Sequence, residues 1–122
     1  MFTEKEIQNI IANLKKPDIA KVILFGSYSK GIQNQDSDLD LMVITKDRLI
    51  PDTFKQSSLI YKHINSYIAA YRKVYPIDLI VYTQGMFDKF IAMKSMFSLE
   101  ILENGKIIYE ADNSGMDLIS RC

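Results

Sequence analysis

Three aspartates and a glycine–serine pair are the residues that could do chemistry. Asp38 and Asp40 stand two apart at the head of an apolar run, Asp38-Leu39-Asp40-Leu41-Met42-Val43-Ile44, and Asp78 lies near the start of another, Ile77-Asp78-Leu79-Ile80-Val81-Tyr82. Residues i and i+2 of a strand share a face, so Asp38 and Asp40 project side by side while Leu39 and Leu41 point away. Two carboxylates ~4 Å apart repel by about 4 kcal/mol at an effective dielectric of 20. Asp78, in a strand too apolar for a wet edge, is expected to carry a desolvation penalty as well. If all three share one face, the arrangement calls for protons or divalent cations. Oxygen-only carboxylate ligands suit Mg²⁺ or Mn²⁺, which complete their shells with water and substrate phosphates. That is a layout for metal-assisted phosphoryl transfer.

Gly26-Ser27 directly follows the apolar run Val22-Ile23-Leu24-Phe25. Glycine lacks a Cβ, so a phosphate can approach its backbone. Ser27 adds a hydroxyl donor, and a helix starting here would point free N–H groups at an anion. The same pair could be a simple turn, and Asp36-Ser37-Asp38 could be loop punctuation. The conjunction of all these residues at fixed offsets favours a triphosphate held between Gly26-Ser27 and carboxylate-bound metal.

The elements that must position these groups follow from hydrophobic period and stop signals. Ile7, Ile10, Ile11 and Leu14 form a helical stripe behind a Thr3/Glu6 capping box, ended by Pro17. Val22–Phe25 reads as a strand buried on both faces. A polar stretch to Ser37 follows, with room for a short helix at Ser27–Lys30, and Asp38–Ile44 is the second strand. One long helix is expected from Pro51-Asp52 to Pro76, with an apolar stripe of Ile60, Ile64, Tyr67, Ile68, Tyr71 and Tyr75 and a wet side of Lys62, Arg72 and Lys73. Ile77–Tyr82 is the third strand. Met86–Glu103 reads as one or two helices, with Phe87, Phe90, Ile91, Phe97, Ile101 and Leu102 inward, stopped at Asn104-Gly105. Lys106–Tyr109 is a fourth strand. Alternation of helices and strands gives the fold class: α+β (mixed α/β), a mixed sheet of about four strands flanked by helices. The expected domain spans residues 1–110, with a polar C-terminal tail over 111–122.

Composition excludes several classes. The chain has 122 residues, 48% hydrophobic and 25% charged, with 15 basic against 15 acidic residues. Zero net charge argues against nucleic acid as a direct ligand. Cys122 is the only cysteine, which excludes an intrachain disulfide and a Cys-rich zinc site. No apolar run approaches a membrane span, and the N-terminus does not read as a signal peptide, so the cytoplasm is the expected compartment.

The stretch from Phe25-Gly26-Ser27-Tyr28-Ser29-Lys30-Gly31 to Ser37-Asp38-Leu39-Asp40-Leu41, with ten residues between Ser27 and Asp38, resembles the signature of the DNA-polymerase-β-type nucleotidyltransferases. It is similar above all to their minimal nucleotidyltransferase branch, as is the ending Leu102–Glu110. Asp78 matches the family's third carboxylate. The likeness runs from about Ile7 to Glu110. It implies two Mg²⁺ ions, an NTP substrate such as ATP, and transfer of the nucleoside monophosphate to a hydroxyl with release of pyrophosphate. Asp38 and Asp40 would bind both metals, and Asp78 the catalytic metal while helping to activate the acceptor. Gly26 and Ser27 would hold the β- and γ-phosphates. Lys30 stands where many members have arginine, keeping the charge without the bidentate geometry. Many minimal members are antitoxins paired with a HEPN-type ribonuclease toxin, and some transfer AMP to a tyrosine of that toxin. At this length no acceptor-binding module is expected within the chain, so a homo- or hetero-oligomeric assembly is implied. A non-catalytic binding antitoxin, and transfer to a small molecule bound by a separate subunit, are the alternatives.

His63, the only histidine, reads as structural rather than as a base. Tyr61, Tyr67, Tyr71 and Tyr75 read as core packing, with a partner-facing surface as the alternative. Met86, Met93 and Met96 allow the same two readings, with flexible core favoured. Arg72-Lys73 could neutralise a triphosphate but is not assigned to it.

Overall fold

A computed structural model of the protein describes residues 2–111. Of the tail expected over 111–122, residues 112–122, with Cys122, lie outside the described residues. Strands β1 (Ile19–Phe25), β2 (Leu39–Thr45), β3 (Ile77–Thr83) and β4 (Lys106–Glu110) form one mixed sheet in the order β3-β2-β1-β4. β1 pairs antiparallel with β2 and β4, and β2 pairs parallel with β3. Six helices complete the described residues: α1 (Glu4–Asn13), α2 (Ser27–Lys30), α3 (Phe54–Ser66), α4 (Ala69–Arg72), α5 (Gln84–Ala92) and α6 (Met96–Asn104). The architecture is thus the mixed α/β class, with four strands and flanking helices.

Strand alternation splits the interior into two cores. Val22, Leu24, Leu39, Leu41, Val43, Ile77 and Leu79 face one side and pack under Ile10, Ile11 and Leu14 of α1 and Ile64 of α3. Ile23, Met42 and Ile44 face the other side, under Phe87 of α5 and Ile101 of α6. The α1 capping box forms as its sequence requires: Thr3 Oγ1 accepts from the Glu6 N–H at 3.1 Å and Glu6 Oε1 accepts from the Thr3 N–H at 2.8 Å.

The long helix expected between Pro51 and Pro76 is two. α3 ends at Ser66, and α4 resumes after Ile68, whose backbone leaves the helical region at φ −127°, ψ 13°. A straight helix of that span would run ~36 Å, whereas the seven-residue strand it must return to covers ~23 Å. The break lets Ile68 bury completely. Arg72 then ties the pieces together. Its Nη1 donates to Tyr61 Oη at 2.6 Å and Asn65 Oδ1 at 2.7 Å, and its Nε to the Ile77 carbonyl at 3.3 Å. Arg72 is therefore a half-buried staple and not part of a wet side. The four tyrosines of this region lie half-buried against the first core.

The segment after β3 is also two helices, divided at Lys94 (φ 51°). The new phase set by the Ser95 cap, whose Oγ accepts from the Ser98 N–H, rotates the apolar stripe. Leu102, expected inward, is exposed, and so are Met93 and Met96, expected in the core.

Candidate active site

β2 is an interior strand, and its register lines up one row of residues across three strands. Phe25 of β1 is opposite Asp40, and Asp40 is opposite Asp78 of β3. All three belong to the sheet face that carries the second core, at the end that α5 leaves uncovered. α5 starts immediately after β3, so it shields that strand's far end, where Tyr82 meets Phe90 at 5.2 Å. The row therefore stands on an open shelf beside an aromatic floor, in which Phe97 of α6 packs edge-on against Phe25 at 5.7 Å.

The desolvation expected of Asp78 falls on Asp40. β3 is the edge strand, and Asp78 is exposed while Asp40 is half-buried. Asp78 can occupy a strand whose Ile77 and Leu79 are buried because its side chain faces the uncovered side of the sheet. Burial above all, then the hydrogen-bonding approach and charge of Asp78, then the charge of Asp38, push the Asp40 carboxyl up from 3.8 to about 6.

Asp38 lies one residue before β2 and is exposed. Its approach is shaped by a local turn in which Ser37 Oγ accepts from the Asn34 N–H at 2.9 Å and Asn34 Oδ1 accepts from the Asp36 N–H at 2.8 Å. At the strand's start the Leu39 N–H donates to the Pro76 carbonyl at 2.9 Å. The structure thus brings Asp40 and Asp78 together and sets Asp38 at the rim. Among the described residues no three His, Cys, Asp or Glu side chains stand grouped as a finished metal cage. The donor set still fits a divalent cation. It is oxygen-only and open to water and phosphate, and it holds a carboxylate whose anion its own neighbours disfavour until a positive charge arrives.

Gly26 meets this row directly. Its backbone sits at φ 72°, ψ −152°, and a Cβ built there would collide with Asp40 Oδ2. The turn from β1 into α2 can therefore pass the carboxylate only as glycine. Ser29 Oγ donates back to the Gly26 carbonyl at 3.0 Å, closing the turn. Tyr28 is buried and its Oη accepts from the Phe2 N–H at 2.9 Å, so the N-terminal segment anchors α2. Ser27 is half-buried at the start of α2. Lys30 ends α2 and lies 2.5 Å from Glu100 Oε1 of α6.

Sequence reasoning did not single out Glu100 or the staple role of Arg72, and it set Phe97 inward, whereas Phe97 is exposed at the rim of α6. Glu100 carries no local signal, because α6 reaches the site only through tertiary packing. Arg72 had one: it follows Tyr61 and Asn65 by eleven and seven residues, near-whole numbers of helical turns. His63 sits at the other end of the sheet. Its Nε2 is 3.3 Å from Asp18 Oδ2 and 3.0 Å from Tyr67 Oη, beside Thr45, which is ~17 Å along β2 from Asp40.

The family model described as "Polymerase beta, Nucleotidyltransferase" matches residues 5–114. Two curated relatives from Methanocaldococcus jannaschii are each 29% identical. "Putative protein adenylyltransferase MJ0141" aligns over 80% of this chain and 93% of its own length. "Putative protein adenylyltransferase MJ0604" aligns over 86% and 93%. Among solved structures, "a putative nucleotidyltransferase from Sulfolobus solfataricus" superposes with a TM-score of 0.59 at 17% identity, covering 88% of this chain and 80% of that one, a likeness of fold.

Proposed function

Because this chain belongs to the polymerase-β family of nucleotidyltransferases, we propose that it transfers AMP from ATP to a hydroxyl group of a partner protein, releasing pyrophosphate. The observation that carries the reading is the meeting of Gly26 with the Asp40–Asp78 pair. A turn stripped of its side chain faces two carboxylates in one register row. That is where a phosphate chain and its counter-cations would share space.

Asp40 and Asp78, with Asp38 at the rim, would hold Mg²⁺, two ions by the family resemblance. Bound there, Mg²⁺ supplies charge neutralisation for the phosphates and lowers the pKa of a coordinated hydroxyl. The chain's own groups do the rest. Gly26 would let the phosphate chain approach the backbone, the Ser27 hydroxyl would donate to it, and Lys30 would offer a cation at the far end of α2. Asp78, exposed at the sheet edge, is the carboxylate that an incoming acceptor hydroxyl reaches. Asp40, deeper in the row, is mostly ionised at neutral pH even with its carboxyl raised to about 6.

The choice of AMP and of a protein acceptor draws on the names of the two curated relatives. The acceptor we propose is a tyrosine of a HEPN-type toxin partner, with this chain as its antitoxin in the cytoplasm. That reading rests on the sequence resemblance. No helix among the described residues is long and apolar enough to cross a bilayer.

The test is co-expression with the neighbouring gene product, incubation with α-labelled ATP and Mg²⁺, and intact mass measurement of both chains. AMP mass is expected on the partner with the wild-type chain, and none with Asp38→Asn or Asp40→Asn. Undiminished transfer by both variants would end the catalytic reading. If the double variant still suppresses the partner's toxicity, neutralisation works by contact alone.

A further inference from the structure

We propose that Glu100 of α6 is a latch on Lys30: it holds the ammonium paired, and the triphosphate must displace it. Glu100 thereby sets the affinity for the phosphate chain. The inference rests on the reading of Gly26, Ser27 and Lys30 as the phosphate side of the site.

Lys30 is the only cation between Gly26 and Asp40, and it closes the single helical turn that begins at Ser27. Its charge is already spoken for, with Nζ 2.5 Å from Glu100 Oε1. The latch is itself held, because Glu100 Oε2 accepts from Asn104 Nδ2 at 2.9 Å, one turn further along α6. These two donors keep the Glu100 carboxyl below the ordinary carboxylate range. One turn earlier on α6, Phe97 packs against Phe25, the residue that precedes Gly26 and faces Asp40. α6 therefore touches the phosphate turn at both ends, through an aromatic contact and through an ion pair.

Exposure decides what kind of device this is. The two side chains are 40% and 36% exposed, so nothing locks the pair against competition. A pair this open is worth at most about fivefold in an equilibrium constant. A triphosphate, with several anionic oxygens, can outcompete one carboxylate for the ammonium, and the exchange reduces its affinity by the worth of the pair. A ligand too short to reach Lys30 meets no such cost. Glu100 thus acts on triphosphates and leaves monophosphates untouched.

The test is calorimetric titration of a non-hydrolysable ATP analogue and of AMP, in Mg²⁺, into wild type, Glu100→Gln, Lys30→Met and the double variant. Glutamine keeps an acceptor for Asn104 while releasing Lys30. Glu100→Ala serves as a second release variant, and thermal midpoints check folding. Glu100→Gln is expected to bind the analogue about two- to fivefold more tightly, with AMP binding unchanged and the gain absent when Lys30 is methionine. Unchanged or weaker analogue binding by both Glu100 variants would overturn the latch. So would a gain that survives in the Lys30→Met background, because Glu100 would then act by simple repulsion. A wild-type chain that binds no analogue would overturn the nucleotide reading and the latch together, whereas normal binding without a Glu100 effect would overturn the latch alone.

Discussion

Asp40→Asn is expected to abolish transfer and, in the absence of metal, to make the protein more stable above pH 6. The native carboxyl titrates at about 6 against an ordinary 3.8, through burial first and Asp78 second. A carboxyl raised in this way binds more protons folded than unfolded between those values. Stability therefore falls as pH rises through that window, and the whole penalty stands above pH 6. The step from 3.8 to about 6 corresponds to about 3 kcal/mol, and partial solvation of Asp40 reduces this to about 1 kcal/mol. Asparagine fills the same space without charge, and its amide can donate to Asp78 instead of repelling it. In chelator at pH 8 the variant should melt about 3–5 °C above wild type, whereas near pH 4 the two should nearly coincide. Added Mg²⁺ should raise the wild-type midpoint and move the variant's less, closing the gap. Thermal unfolding followed by circular dichroism at both pH values, with and without Mg²⁺, measures all of this. A variant no more stable than wild type at pH 8 in chelator, or a gap of equal size at both pH values, would refute the account of Asp40 as a carboxylate held at a cost for a cation.

Gly26→Ala combines a collision with Asp40 and a backbone that only glycine adopts easily; it should lose roughly 1–3 kcal/mol in urea unfolding and lose transfer, whereas Ser27→Ala should keep its stability. Arg72→Met leaves Tyr61, Asn65 and the Ile77 carbonyl without their donor; about 2 kcal/mol of destabilisation is expected, with a larger fall in transfer than for Lys73→Met, because Ile77 precedes Asp78. Ile68→Ala empties a fully buried site at the break between α3 and α4 and should cost about 2–5 kcal/mol by chemical denaturation.

Much of this fold could be read without coordinates, because the signals are local. The Thr3/Glu6 box, the glycine after Phe25, the alternation around Asp40 and the stop at Asn104-Gly105 each act within a few residues. The break between α3 and α4 resists reading for the opposite reason, and the sequence leaves open whether Met86–Glu103 is one helix or two. Tyr67-Ile68-Ala69 contains no proline or glycine, and the bend there exists because a straight helix would overshoot β3. At Met93–Ser95 the apolar spacing continues through the break, so Leu102 and Met96 look inward along the chain and are not.

The candidate groups are legible along the chain: three carboxylates, a glycine that keeps a turn clear, one nearby cation, and strand periodicity that sets Asp40 apart from Leu39 and Leu41. How those groups are tuned is a property of the assembled sheet and its helices. Periodicity says which face a side chain takes but not which strand lies beside it, nor which helix covers that face. Placing β3 at the sheet's edge exposed Asp78 and left the desolvation to Asp40. Packing α6 over the turn from Gly26 to Lys30 brought Glu100, seventy residues further along the chain, onto Lys30. Both outcomes depend on long-range pairing, in which each contact is set by the whole sheet and not by the residues flanking it.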